Sequence, residues 1–149
     1  MKKAFAALLI PVIVLSLISC RSERSAEELM RAFVDAYKAT GVIYSSSAKE
    51  GDDGYIDSEL FNKIYLTDGR APSEFAVFLN LHTDHTSECA VFVCRDGDEL
   101  MRVERMCLER VALLSSEAGF VVRSHGTVFY STMSDKARAQ RLWHSIISR

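Results

Sequence analysis

Proline, glycine and repeated segments are scarce in this sequence. The 149 residues include only two prolines and seven glycines, and no internal repeat or low-complexity tract is visible. Collagen-like and wholly disordered chains are therefore excluded, because both have very different compositions. With 48% hydrophobic and 26% charged residues, the chain has the composition of an ordinary globular protein, and its length leaves room for one domain.

An excess of positive charge is absent as well. Eighteen Lys and Arg residues face 20 Asp and Glu residues, which gives a net charge of −2, and the basic residues are scattered along the chain. Proteins that bind nucleic acid usually gather basic residues in one patch or stripe. We therefore predict no nucleic-acid partner.

Catalytic and cofactor-binding motifs are also missing. The sequence has no G-x-S-x-G elbow, no phosphate-binding glycine loop and no C-x-x-C pair. The acidic loop at 45–54 does not fit an EF-hand, because Lys49 and Gly51 stand where calcium ligands are required. The sequence thus predicts no metal and no cofactor, and it assigns no catalytic residue.

One cluster does contain residue types that bind metals, namely His82 and His85 with Glu88 nearby. A metal site needs a further fixed ligand, and His125 is the obvious candidate. The predicted directions of the strands, however, put the two hairpins that carry these histidines at opposite ends of the sheet. We therefore expect an ordinary solvated turn at 82–87.

The N-terminus is typical of a secretory signal. Lys2 and Lys3 precede the uncharged run 4–19, which is a charged start followed by an apolar core. Sixteen residues are too few to span a bilayer, and Pro11 interrupts the run. We therefore expect this segment to direct export and then to be removed.

Residues 17–20 read Leu-Ile-Ser-Cys, which resembles the lipobox of bacterial lipoproteins. The resemblance implies cleavage after Ser19 and lipidation of the Cys20 sulfur, so that the membrane is a partner through two acyl chains. The expected location is the outer face of the bacterial cytoplasmic membrane, or a periplasm-facing leaflet if the cell has two membranes. The predicted organisation is a signal peptide at 1–19, a lipidated cysteine and short tether at 20–25, and a single domain at 26–149.

The mature chain is expected to sit close to the membrane. Cleavage removes 19 of the 149 residues and leaves 130, of which 16 are basic and 20 acidic, for a net charge of −4. The tether reaches about 17 Å even when fully extended. Arg21, Arg24, Arg31 and Lys38 follow the anchor in sequence, and basic residues near an anionic leaflet are favourable.

Helix signals recur four times in the mature chain. Ser25 and Glu28 form a capping box for a helix over about 26–40, and Asp57 caps a short helix after the polar loop. The longest helix is predicted over about 97–116, beginning at Asp96. A last helix is capped by Ser134 or Asp135, with apolar residues on one face.

Four runs rich in β-forming residues predict two hairpins, 75–81 with 89–94 and 120–123 with 127–132. The first two runs are apolar at nearly every position, as in central strands. After the N-terminal helices the order is β-β-α-β-β-α. We predict an α+β fold with a four-stranded, mainly antiparallel sheet and helices packed on one face.

This pattern resembles a family of small bacterial lipoproteins that is defined only as a domain of unknown function. The similar segments are Glu-Phe-Ala-Val-Phe at 74–78, Cys-Ala-Val-Phe at 89–92, Gly-Thr-Val-Phe-Tyr-Ser at 126–131 and Asp-Lys-Ala at 135–137. They cover about half of the chain, within 74–147. The resemblance implies the fold and the cellular location, and it implies no functional residue.

Lipidation of Cys20 leaves three cysteines, an odd number that cannot all pair within the chain. Cys89 and Cys94 lie on one strand about 16 Å apart, far beyond the limit of ~7 Å between the Cα atoms of a disulfide. A helix that folds back along this strand brings Cys107 to the level of Cys89, so a disulfide, if one forms, joins Cys89 and Cys107. The alternative is three free thiols that pack as small hydrophobic side chains.

Two classes of function stay open. Every polar cluster has a structural explanation, and the domain is held near the membrane, so we expect a membrane-proximal binding or assembly module. Its partners would be neighbouring membrane or envelope proteins. The alternative is a small extracytoplasmic enzyme, which a cavity containing His82, His85 or a thiol together with a carboxylate would favour.

Overall fold

The computed structural model describes residues 24–67, 69–81 and 87–149. The predictions for the signal peptide, for Cys20 and for His82 and His85 lie outside the described residues. The described elements, in chain order, are α1 (Ala26–Tyr37), β1 (Gly41–Ser45), α2 (Ser58–Tyr65), β2 (Glu74–Asn80), β3 (Glu88–Val93), α3 (Gly97–Leu113), β4 (Phe120–Ser124), β5 (Thr127–Ser131) and α4 (Lys136–Ile147).

The helices begin where the sequence predicts. The Ser25 hydroxyl accepts a hydrogen bond from the Glu28 N–H, and the Glu28 carboxylate accepts one from the Ser25 N–H, which is the predicted capping box. Asp57, Asp96 and Asp135 each accept a hydrogen bond from the backbone N–H three residues later. Asp135 is therefore the cap of α4, as one of the two predicted alternatives had it.

The sheet confirms the predicted α+β class and adds one strand. Its five strands are ordered β1-β2-β3-β5-β4, and every neighbouring pair is antiparallel. The hairpin from β2 to β3 turns at the end of the sheet where β3 begins, at Glu88. The hairpin from β4 to β5 turns between Ser124 and Thr127, and Thr127 pairs with Val93 at the other end of β3. The two hairpins turn at opposite ends of the sheet, as predicted, so His125 lies far from the first hairpin.

Helices cover both faces of the sheet, which corrects the prediction that all of them pack on one face. Side chains of α1 and α4 form one core with alternate residues of the central strands, including Phe78, Val91 and Phe129. Side chains of α2 and α3 form a second core with the residues between them, including Phe92 and Tyr130. Strands that are apolar at successive positions are those buried on both faces.

The additional strand, β1, begins at Gly41, where the prediction placed the end of the first helix. The helix ends earlier, because Lys38 adopts a left-handed conformation with φ of 58° and its N–H bonds back to α1. A Cβ atom at Gly41 would lie 2.0 Å from the Leu79 carbonyl oxygen and 2.7 Å from the Phe78 ring. The glycine is thus required for close packing of β1 on β2.

Helices α1 and α4 lie side by side and antiparallel on their face of the sheet. Arg24, just before α1, donates a hydrogen bond to the Ile146 carbonyl near the end of α4. At the other end, the Tyr37 hydroxyl accepts a hydrogen bond from the Asp135 N–H at 3.2 Å. Trp143 of α4 stacks on Phe129 of β5 with ring centroids 4.2 Å apart. No helix among the described residues has the length and hydropathy to cross a membrane.

Candidate functional site

A buried charged network joins β3, β5, α2 and α3. Arg110 donates from Nε and Nη2 to the two carboxylate oxygens of Glu88, both at 2.8 Å. Tyr130 donates to Glu88 Oε1 at 2.6 Å, and the Tyr65 hydroxyl lies 2.8 Å from the Tyr130 hydroxyl. The Glu88 side chain is only 3% exposed.

The network is complete, because every oxygen of the Glu88 carboxylate has a donor. Since Tyr130 uses its proton for Glu88, Tyr65 donates in turn to the Tyr130 oxygen. Burial raises the pKa of both tyrosines well above the ordinary value, and the Glu88 carboxylate adds to the shift. The hydrogen bond and charge of Glu88 also raise the pKa of Arg110, so the guanidinium stays charged and the tyrosines stay protonated. The network therefore holds α2 and α3 against β3 and β5.

A second polar site lies where α3 begins. A cavity of about 270 Å³ is lined by Cys94, Asp96 and His125, together with Arg95, Gly97, Leu100 and Gly126. The Cys94 N–H donates to the Gly126 carbonyl at 2.9 Å, and this bond holds the β4–β5 turn beside the end of β3. Thiol, imidazole and carboxylate are the groups that a cysteine hydrolase combines.

The thiol in this cavity is not activated. Burial raises the pKa of Cys94 to about 12, and the negative charge of Glu99 contributes to the shift. The Asp96 carboxylate is already used as the helix cap, because it accepts from the Glu99 N–H at 2.8 Å. Since the thiolate is the reactive form of cysteine, this site lacks the electrostatics of a catalytic thiol.

Glu99, near this cavity, is a buried carboxylate whose oxygens are satisfied by hydrogen bonds from neighbouring residues. It accepts hydrogen bonds at 2.8 Å from the N–H groups of Ser73 and Arg95, and one at 2.7 Å from the Ser73 hydroxyl. Burial opposes ionisation of Glu99, but these hydrogen bonds outweigh it and lower its pKa. Glu99 therefore ties the segment before β2 to the first turn of α3.

The third site is a polar groove beside the edge strand β1, which we name the β1 groove. It encloses about 520 Å³ between α1, β1 and the loop at 46–54. The lining residues are Glu27, Arg31, Gly41, Val42, Ile43, Ser45, Ser47, Ala48, Asp52, Asp53 and Gly54. It is the largest of the cavities described here by volume.

Glu27 is a carboxylate of the β1 groove that hydrogen bonds and an ion pair hold in place. It accepts hydrogen bonds from the hydroxyls of Ser45, at 2.8 Å, and Ser47, and it forms an ion pair with Arg31 at 2.6 Å. The bond from Ser47, followed by those from Arg31 and Ser45, lowers the pKa of Glu27 to about 2. Glu27 is therefore ionised throughout the physiological pH range.

The edge of β1 that faces the groove has unpaired backbone. Leu81 N–H donates to the Thr40 carbonyl and Ser46 N–H donates to the Phe75 carbonyl, so even-numbered residues of β1 bond to β2. Because hydrogen bonding alternates along an antiparallel strand, Gly41, Ile43 and Ser45 point their backbone groups away from β2. Ser45 N–H reaches the Gly54 carbonyl at 3.0 Å, and Gly54 also lies against the Ile43 carbonyl, since a Cβ atom at Gly54 would be 2.6 Å from that oxygen. The loop therefore covers this part of the edge, and within the described chain no backbone partner is seen for the outer side of Gly41 or for the Ile43 N–H.

The structure separates the two cysteines predicted as disulfide partners. Cys89 lies in the core beneath α1 and α4, and Cys107 lies in the core on the opposite face of the sheet. Cys89, Cys94 and Cys107 are all free and buried, and burial raises the pKa of each thiol. Among the described residues, no three His, Cys, Asp or Glu side chains are placed to hold a metal ion.

Two of the pairings in these sites are not predicted by the sequence, although Glu88 stands beside His82 and His85 as a residue type that binds metals. Glu88 and Arg110 are 22 residues apart, and Glu27 and Ser47 are 20 apart, so no local spacing marks either pair. The one sequence feature that hinted at the Glu88–Arg110 pair is that Glu88 directly precedes the apolar run 89–94. For the second it was the run Ser45-Ser46-Ser47, which the sequence alone identified only as a loop.

No family model, curated protein or solved structure matches this chain.

Proposed function

We propose that this chain is a lipoprotein, anchored through Cys20 on the outer face of the bacterial cytoplasmic membrane, that acts as a membrane-proximal binding or assembly module. The observation that carries the proposal is the β1 groove. It combines a strand edge that is only partly covered by the loop at 46–54 with polar walls, and it lies at the end of the domain where the described chain begins. A binding site there would face partners at the membrane surface.

The position of the groove follows from contacts of the first helix. The Ala26 N–H donates to the Glu74 carboxylate at the start of β2, at 2.7 Å, and Glu27 lines the groove itself. The groove is thus within a few residues of the proposed tether at 20–25. A short tether keeps this end of the domain near the lipid surface.

The chemistry of the groove favours an extended peptide as the ligand. A peptide that adds to a sheet edge gains main-chain hydrogen bonds, and side pockets select its side chains. The outer side of Gly41 and the Ile43 N–H offer the main-chain groups, whereas Glu27, Asp52 and Asp53 outnumber Arg31 among the charged lining residues. The proposed ligand is therefore an extended segment with basic side chains, from a neighbouring membrane or envelope protein.

The first experiment tests the anchor. Cells that express the full chain are grown with a labelled fatty acid, and the protein is recovered from membranes. The label is expected on the wild type and is expected to vanish in Cys20→Ala. An unlabelled wild-type protein that is found only in soluble fractions contradicts the proposed location.

The second experiment tests the groove. A photo-crosslinking amino acid is placed at Asp53, in the groove, and as a matched control at Glu117, an exposed acidic residue outside the residues that line the groove. Irradiation of intact cells should give one recurrent product from position 53 and none from position 117. Mass spectrometry should map the crosslink to an extended segment with basic residues, and equal products from both positions contradict the assignment.

A small extracytoplasmic enzyme is the second candidate, and the cavity with Cys94, Asp96 and His125 is the observation that favours it. The raised pKa of Cys94 argues against this function. The rate of alkylation of Cys94 by iodoacetamide, followed from pH 6 to 10, distinguishes the two. A thiol that titrates near neutral pH supports the enzyme, and slow reaction without such a step supports the binding module.

A further inference from the structure

The last helix of this acidic protein is basic. From residue 136 to 149 the chain has four basic residues, Lys136, Arg138, Arg141 and Arg149, and no acidic one, whereas the mature chain is predicted to have a net charge of −4. Helix α4 buries Ala139, Trp143 and Ile146 against the core. Its outward side therefore has a different charge from the rest of the domain.

The basic residues of α4 have different surroundings along the helix. In its first half, Arg138 lies over the Tyr37 ring, 4.8 Å from the centroid, and Lys136 donates to the Gly119 carbonyl at 3.2 Å. From the middle of the helix onward, Arg141 and His144 are exposed, as is Arg149 just after the helix, and no ion pair is seen for Arg141 or Arg149 within the described chain. We name these three residues the basic face.

The basic face lies at the end of the domain where the proposed tether begins. Arg24 donates to the Ile146 carbonyl, so the start of the described chain is held beside the last turn of α4. Only three residues separate Arg24 from Cys20, a reach of about 14 Å when fully extended. The end of α4 is therefore the part of this helix nearest to the proposed lipid anchor.

The neighbouring helix has the opposite charge at this end. The first turn of α1 contains Glu27 and Glu28, and no basic residue. Of the cations expected in sequence near the anchor, Arg31 pairs with Glu27, and Lys38 follows the far end of a helix about 18 Å long. Among the described residues, and besides the partly buried Arg24, the exposed cations at this end of the helix pair are therefore those of the α4 side.

We propose that the basic face of Arg141, His144 and Arg149 contacts anionic phospholipid headgroups and so sets the orientation of the domain on the membrane. This inference rests on the proposed anchoring through Cys20. Each Lys or Arg near an anionic surface gains about 1 kcal/mol, which corresponds to about a fivefold change in the ratio of molecules in contact with the surface to molecules away from it. An acidic protein is thereby held with one edge of α4 toward the lipid.

The test uses the lipidated protein in vesicles of phosphatidylcholine with and without phosphatidylglycerol. A fluorescent label is attached at Ser145→Cys, in the second half of α4, or at Ser134→Cys, just before its first turn, both of which are exposed positions. The three buried native thiols and the lipidated Cys20 leave the new cysteine as the reactive one. Quenching by a headgroup-attached nitroxide reports contact with the membrane.

With phosphatidylglycerol, quenching at position 145 is expected to exceed quenching at position 134, and added salt should reduce the difference. Arg141→Glu is expected to reduce it severalfold, whereas Lys136→Glu, with the same charge change on the same helix, should leave it in place. Equal quenching at both positions, or equal effects of both variants, overturns the inference.

Mass spectrometry of the same samples separates this inference from the proposed function. If Cys20 is lipidated and the quenching difference is absent, the proposed contact of the basic face with lipid is wrong, whereas the proposed anchoring through Cys20 is confirmed. If Cys20 has no lipid, the proposed anchor fails, and this inference fails with it.

Discussion

Arg110 and Glu88 form a two-point ion pair that is almost closed to solvent. Both N···O distances are 2.8 Å, and the side chains are 20% and 3% exposed. The pair connects the last third of α3 to the first residue of β3, and Tyr130 of β5 donates to the same carboxylate. Three elements thus converge on one buried charge.

Loss of this ion pair is expected to destabilise the domain strongly. Arg110→Met leaves the Glu88 carboxylate buried without its cation, which costs about 3–5 kcal/mol in comparable pairs. The free energy of unfolding, measured in urea, should fall by about that amount. Arg123→Met is the control, because the Arg123–Glu104 pair is 48% and 33% exposed and should contribute about 0–1 kcal/mol.

A double variant distinguishes the pair from general packing. Glu88→Gln with Arg110→Met removes both charges and keeps an acceptor for Tyr130. It should be less destabilised than the sum of the two single variants, because neither charge is left alone. Additive losses indicate instead that Arg110 acts through its aliphatic packing.

Because of Glu27, the free energy of unfolding is expected to fall at acidic pH. Hydrogen bonds from Ser47, Arg31 and Ser45 lower its pKa from the ordinary value of 4.5 to about 2 in the folded protein. Its contribution is therefore fully present above pH 4.5 and is lost as the pH falls toward 2. The difference in unfolding free energy between wild type and Glu27→Gln should shrink over this window, and its size is limited because the groove admits solvent.

An exposed acidic residue on the same helix serves as the control for Glu27. Asp35 lies on the outer side of α1, so Asp35→Asn should give a much smaller change over the same pH window. The measurement is urea unfolding at a series of pH values. A constant difference between wild type and Glu27→Gln from pH 6 to pH 2 contradicts the proposed hydrogen bonding.

The number of reactive thiols tests the cysteines and the anchor together. The native protein should react slowly with a thiol reagent at pH 8, because Cys89, Cys94 and Cys107 are buried and burial raises the pKa of each. In denaturant without reductant, a lipidated chain should show three thiols. Four thiols indicate an unmodified Cys20, and a single thiol indicates a disulfide within the domain.

The inner side of α3 can be tested with two matched substitutions. Val103 is fully buried in the core beneath α2 and α3, whereas Leu108 on the same helix is 55% exposed. Val103→Asp is expected to unfold the domain, since it buries an unpaired charge. Leu108→Asp should leave the far-UV circular dichroism and the melting temperature nearly unchanged. A Val103→Asp protein that still folds would contradict the burial of Val103 in this core.

The helix starts could be predicted because their causes are local. A cap is a hydrogen bond between residues three apart, so Ser25, Asp57, Asp96 and Asp135 could be identified without knowledge of the fold. The hairpins could be predicted for the same reason, since their strands are neighbours in sequence. β1 could not, because its partner residues lie up to 39 positions away, as with Gly41 and Asn80.

Local patterns of residues are enough to locate the helix starts and the hairpins and to show that the central strands are apolar on both sides. Which helix covers which face depends on long-range packing, and this packing places Cys89 and Cys107 on opposite sides of the sheet. It also decided that Glu88 meets Arg110 and that Glu27 meets Ser47. Each of these contacts joins elements that pack only after the chain has folded, so no residue spacing encodes it.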